Sequence, residues 1–135
     1  MILPNGTTVA VIDGKKLRLF RNNGTESRIQ LVEETIAGTQ PANRRSGTRS
    51  RNNPVEPNGL QRKNDDFVAR ASAYLDRLIR HRKIISLFIV TDPRTLGELH
   101  RHFHDATRET LIGELLGRDF TSSSVSSIEA ALTRA

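Results

Sequence analysis

The sequence predicts a single α/β domain built on a mixed β-sheet, and three observations lead there. Its 135 residues suit one core, because single domains typically occupy ~100–200 residues. Apolar residues alternate with a period of two in the first third of the chain and recur near every 3.6 residues afterwards, the signatures of strands and then helices. Between two helical stretches lies a short apolar run, residues 84–90 (IISLFIV), which fits a strand buried on both faces and joined to its neighbours by helical crossovers, as in parallel sheet.

The elements follow in order. Residues 7–12 (TTVAVI) are β-branched and apolar, and Asp13-Gly14 after them is a tight-turn pair. Residues 16–21 (KLRLFR) place Leu17 and Leu19 on one face and Lys16, Arg18 and Phe20 on the other, so strand, turn and strand make a hairpin. Asn22-Asn23-Gly24 marks a second turn, and residues 28–35 (RIQLVEET) put Ile29 and Leu31 on one face of a third antiparallel strand. Phe67, Ala71, Tyr74, Leu75 and Leu78 recur at helical spacing. Asn64 is the expected cap of that helix, Asp65 and Asp66 its first turn, and Arg80, Arg82 and Lys83 the cations at its end, all in the sense the helix dipole favours.

After the apolar run, Asp92 reads as a cap and Pro93 as the first helical residue, with Leu96, Leu99 and Phe103 inward. Residues 109–116 (ETLIGELL) suit a strand or a helix weakened by Gly113, and are read as a strand. Residues 121–124 cap a short terminal helix marked by Val125, Ile128, Ala131 and Leu132. The order β-β-β-α-β-α-β-α is that of a ribonuclease H-like mixed sheet, though a fold does not by itself assign an activity.

Composition removes several function classes. There is no cysteine, so disulfide frameworks, thiolate nucleophiles and cysteine zinc sites are excluded. The opening MILPNGTTVA has neither a basic lead nor a long apolar stretch, so no secretory leader is expected. No stretch approaches the ~20 apolar residues of a membrane span. A soluble, cytoplasmic protein without cofactor or membrane association is the expectation.

The net charge of +6 is unevenly placed. Between residues 38 and 63 lie Arg44, Arg45, Arg49, Arg51, Arg62 and Lys63 against Glu56 alone, with Pro41, Pro54 and Pro57 and no large apolar residue beyond Val55 and Leu60. Such a stretch cannot bury enough surface to offset its ordering entropy, so it is read as a disordered basic loop. Loops of this length are functional or simply tolerated insertions. Arginine's planar fork suits phosphates, so these six residues are the candidate nucleic-acid contacts. No aromatic residue is interleaved for base stacking, and binding through charge would be salt-sensitive.

Other constellations have plainer explanations. Asp13 and Asp92 both end strands and could hold magnesium against a phosphate, but one opens a hairpin turn and the other caps a helix. His100 and His104 share a face on one continuous helix and could ligate a metal, with His102 directed elsewhere and Asp105 adjacent; His81 is the fourth histidine. A solvated polar face is the commoner role of such a pair. Lys15, Lys16, Arg18 and Arg21 read as solvated hairpin residues, and no Ser-His-Asp order is present.

The segments ILPNGTTVAVIDGKKLRLFRN, DPRTLGELHRHFH and GRDFTSSSVSSIEAAL resemble the bacterial host attachment family, proteins required for attachment to host cells. The resemblance spans nearly the whole chain and is most specific around Asp13-Gly14 and residues 93–99. That family is in turn similar to the middle domain of archaeal and eukaryotic peptide-chain release factors, whose ribonuclease H-like topology lacks the ribonuclease centre. Release factors carry a Gly-Gly-Gln loop whose glutamine assists hydrolysis of the peptidyl-tRNA ester. The matching tripeptide here is Gly38-Thr39-Gln40, and its threonine disfavours the positive-φ conformations that two glycines permit. Gln40 is therefore a weak catalytic candidate. The resemblance implies a non-catalytic module that binds the ribosome or RNA, or a factor contributing indirectly to attachment to the host-cell surface.

Overall fold

The computed structural model describes residues 3–34, 59–117 and 120–134. Within them, β1 (Thr8–Ile12), β2 (Leu17–Asn22), β3 (Leu31–Glu34), β4 (Leu87–Thr91) and β5 (Leu111–Leu116) form one sheet, in the order β3-β2-β1-β4-β5. β2 runs antiparallel to both β1 and β3, and β4 runs parallel to both β1 and β5. The helices are α1 (Gly59–Arg80), α2 (Pro93–His102), α3 (Asp105–Thr110) and α4 (Val125–Arg134), with a 3-10 turn at Phe120–Ser122. The expected single α/β domain on a mixed sheet is what the described residues form.

β1 and β4 occupy the middle, and every residue of both is buried. Each therefore reads as an unbroken apolar run, as a strand covered on both faces must. Ala10, Ile12, Leu17, Leu19 and Ile89 pack with Phe67, Ala71 and Leu75 of α1 and Leu99 of α2. Val9, Val11, Phe20, Phe88 and Val90 pack on the opposite face with Ile128 and Leu132 of α4. Phe20 thus faces away from Leu17 and Leu19 as expected, yet is fully buried, because α4 covers that side.

Several boundaries differ from expectation. α1 begins at Gly59, so residues 59–63 of the expected loop are helical, Asn64 is not its cap, and Asp65 and Asp66 lie beyond the first turn. Gln61, Arg62 and Lys63 are good helix formers that extend a helix already anchored by its apolar stripe. β4 starts at Leu87 rather than at residue 84. α3 was not anticipated: six residues are too few to show a period, and the helix is held by Asp76 of α1, which accepts a hydrogen bond from the Thr107 hydroxyl.

The turn from α1 to β4 has a specific geometry. Lys83 N donates to Leu78 O at 2.8 Å and Arg82 N to Ile79 O at 3.0 Å, the two bonds of a Schellman cap. The residue at its left-handed position is Arg82, with φ 60°, where glycine is usual. Arg82→Gly should therefore raise the unfolding free energy by about 0.5–1 kcal/mol, the left-handed penalty less the added chain entropy. An unchanged or lower urea midpoint would contradict this reading.

The strand at 111–116 is present, and Gly113 has a packing reason. A Cβ there would stand 2.7 Å from Cε2 of the buried Phe88 ring. Gly113→Ala should destabilise the domain by about 1–3 kcal/mol, as overpacking of a fixed core does; a thermal midpoint equal to that of the parent chain would show that the ring moves freely.

Candidate functional site

The neighbouring parallel strands β1 and β4 lead in opposite directions, β1 to β2 and β4 to β5. The crevice beyond their carboxyl ends is where open α/β sheets place ligands. Asp13 and Asp92 both stand at this edge. A cavity of about 10 Å³ between their strands is lined by Ile12, Asp13, Thr91, Asp92 and Thr121, room for about one water. Beside it, a cavity of about 130 Å³ is lined by Gly14, Asp65, Asp92, Arg94, Thr95 and Glu98.

Local structure accounts for both aspartates. Asp13 Oδ1 accepts the Lys15 and Lys16 backbone N–H groups at 2.7 Å each, the usual role of an aspartate opening a hairpin turn. Its Oδ2 accepts the Thr121 hydroxyl at 2.7 Å, tying the hairpin to the 3-10 turn. Asp92 caps α2: Oδ1 accepts Thr95 N at 2.8 Å and Oδ2 the Thr95 hydroxyl at 2.9 Å. Each carboxylate thus has hydrogen bonds on both oxygens. Arg94 pairs with Asp65 at 3.5 Å, and Glu98 with Arg101 at 3.1 Å and His102 at 3.5 Å. Among the described residues, no three His, Asp or Glu side chains are grouped to hold a metal ion.

The histidines are separated. α2 ends at His102, with Phe103 extended at φ −67°, ψ 138°, so His100 and His104 do not share a helix face as the sequence spacing suggested. His100 Nε2 lies 2.7 Å from Glu114 Oε2, and His104 Nε2 lies 3.7 Å from Asp76 Oδ2. Asp105 is exposed beside Arg108, and His81 is exposed after α1.

Of the candidate basic contacts, Arg62 and Lys63 fall within α1. Gly38, Thr39, Gln40, Arg44, Arg45, Arg49 and Arg51 lie outside the described residues. The hairpin arginines are not merely solvated. Arg18 Nε and Nη2 donate to the two Glu33 carboxylate oxygens at 3.0 Å each, and Nη1 donates to Ser123 O at 2.7 Å. The hydrogen bonds from Arg18 hold the Glu33 carboxyl below its ordinary pKa and raise that of the guanidinium. Arg21 Nε donates to Glu34 at 3.0 Å and Nη2 to Lys83 O at 3.2 Å. Farther along α1, Arg70, Arg77 and Arg80 are all exposed; of these only Arg80 is singled out by the sequence, as a cation at the helix end.

In comparison with known proteins, the family model described as bacterial archaeo-eukaryotic release factor family 12 matches residues 6–132, from just before β1 into the last turn of α4. No curated protein matches the chain. The bonding of Asp92 leads to a stability effect: Asp92→Ala should lower the unfolding free energy by about 1 kcal/mol, the usual loss on removing a helix cap. Urea unfolding tests this, and an unchanged midpoint would mean that the carboxylate is not needed for capping.

Proposed function

Because the chain belongs to bacterial archaeo-eukaryotic release factor family 12, we propose that it acts as a non-catalytic module binding RNA or the ribosome, with the basic segment 38–63 making contacts. The observation that carries this reading is the placement of the +6 net charge on a release-factor-related chain, with six cations against one acid in that segment. Arginine forks bind phosphate oxygens in pairs, and counterion release then sets the affinity. We read the strand order β3-β2-β1-β4-β5 as ribonuclease H-like. The crevice carboxylates already hold the turn and the cap, which favours binding over hydrolysis, as does Thr39 where a release factor has glycine.

Co-sedimentation with ribosomes across a salt series tests the proposal, using the intact chain and a variant with residues 41–58 replaced by a Gly-Ser linker that leaves β3 and α1 whole. Pelleting should fall as salt rises, with log affinity changing by about 0.7–0.9 per phosphate contacted, and should weaken in the variant. No pelleting of either form at low salt would sink the reading. Recovery of the chain at the cell surface by fractionation would instead favour the attachment role that the sequence resemblance suggests.

A further inference from the structure

The exposed face of α1 from residue 70 onward is basic. Phe67, Ala71, Tyr74 and Leu75 turn into the core, which leaves Arg70, Ala73, Arg77 and Arg80 on the outside, followed by Arg82 and Lys83 in the exposed turn. Residues 70–83 contain one acid, Asp76. It is only 4% exposed, and its carboxylate takes the Thr107 hydroxyl on the inner side of the helix. This stretch therefore presents five cations to solvent and no carboxylate.

Two nearby acids are matched by other partners. Glu34 pairs with Arg21 at 3.0 Å, and Asp65 with Arg94 at 3.5 Å. Exposed Asp66 stands one turn before Arg70. Favourable interaction of cations with a helix C-terminus falls off within the last turn, so it accounts for Arg77 and Arg80 but not for Arg70. Arg70 and Arg77 are set on aromatic rings, 6.0 Å from the Phe67 centroid and 5.7 Å from that of Tyr74, which restricts their rotamers and lowers the entropy of engaging a ligand. Arg82 is kept at a φ of 60° where glycine would fit with less strain. Ile85, 80% exposed, lies just beyond.

We propose that the outer face of α1 from residue 70, with the turn ending at Lys83, is a binding surface for the phosphate backbone of an RNA strand, separate from segment 38–63. The inference rests on the RNA-binding reading above and locates it on α1. Residues 70 and 80 are ~15 Å apart along the helix axis, long enough to follow several phosphates of one strand. Four of the five cations are arginines, the better match to phosphate oxygens. A lipid surface fits less well, because an interfacial helix inserts its apolar face and that of α1 is covered by the sheet.

Fluorescence anisotropy of a labelled single-stranded RNA across a salt series tests this. Four chains are compared: the parent; Arg70→Gln, Arg77→Gln, Arg80→Gln and Lys83→Gln combined; a control with Lys15→Gln, Lys16→Gln, Arg28→Gln and Arg101→Gln, equal in net charge; and the chain with residues 41–58 replaced. Arg82 is left in place because changing it would alter backbone strain as well as charge. The α1 variant should lose more than tenfold in affinity at 0.1 M salt, and its log–log salt slope should shrink by about 3, from four single-strand contacts at ~0.7 each. The control should lose far less, and thermal midpoints should show all four chains folded.

An α1 variant that binds like the parent overturns the proposal; if the loop-replaced chain then loses binding, the reading under Proposed function stands without it. A control that loses as much as the α1 variant also overturns the proposal, since net charge alone would explain the loss. Tighter binding to DNA of the same sequence overturns the choice of RNA. No RNA binding by the parent at low salt overturns the proposal, and ribosome co-sedimentation then decides whether the wider reading stands.

Discussion

The parallel pairing of β1 with β4, Thr8 opposite Leu87 through Val11 opposite Val90, is the constraint on which the remaining structure rests. Two fully buried strands at the centre of a sheet require cover on both sides, and α1 with α2 on one face and α4 on the other supply it. The strand ends are fastened by hydrogen bonds: Thr8 N donates to Ser86 O at 2.9 Å, and the Thr91 hydroxyl to Ile12 O at 2.6 Å. Because α1 must give its apolar stripe to this sheet, whatever the helix offers a partner has to come from its outer face.

Polar groups fix how the outer pieces sit on that centre. Asn22 is fully buried, and its amide works in both directions: Nδ2 donates to Leu3 O at 2.8 Å, while Oδ1 accepts Gly24 N at 2.9 Å and Gln30 N at 3.0 Å. One side chain thereby positions the N-terminal segment and the loop between β2 and β3, and leaves neither end of a buried amide unsatisfied. Arg18 does similar work across the sheet, joining β2 to Glu33 of β3 and to the Ser123 carbonyl before α4, with its guanidinium 4.9 Å from the Phe20 centroid. A residue with so many partners is poorly placed to act as a ligand contact, whatever its charge.

How much could be read from the sequence follows from the range of the forces involved. Local signals were legible: the Asp13-Gly14 hairpin, the β4 run and the Asp92-Pro93 helix start all appear because their cause lies within a few residues. Features with distant causes were not. α3 depends on Asp76, 31 residues from Thr107. The separation of His100 from His104 depends on α2 ending at Phe103, and Arg18 looks solvated until Ser123 is brought beside it. The candidate site was legible only in part for the same reason. Counting charge along the chain favours the dense cluster at 38–63, whereas the outer face of α1 stands out only once Asp76 is known to point inward.

The two candidate surfaces differ in what their groups already do. At the carboxyl edge of β1 and β4, Asp13 binds two turn amides and the Thr121 hydroxyl, and Asp92 binds both the amide and the hydroxyl of Thr95. Recruiting either to a metal or a water would remove support from a turn or a helix end, and a buried donor left without its acceptor is destabilising by about 1–3 kcal/mol. On the α1 face the guanidinium groups of Arg70 and Arg77 contact only aromatic rings of their own helix among the contacts described. Its arginines lie on solvent-facing positions of a helix whose stability comes from the opposite stripe, so their charge can meet a phosphate without disturbing the fold. Arg82 points the same way: glycine at that position would relieve strain, and an arginine there contributes charge to the surface rather than ease to the turn.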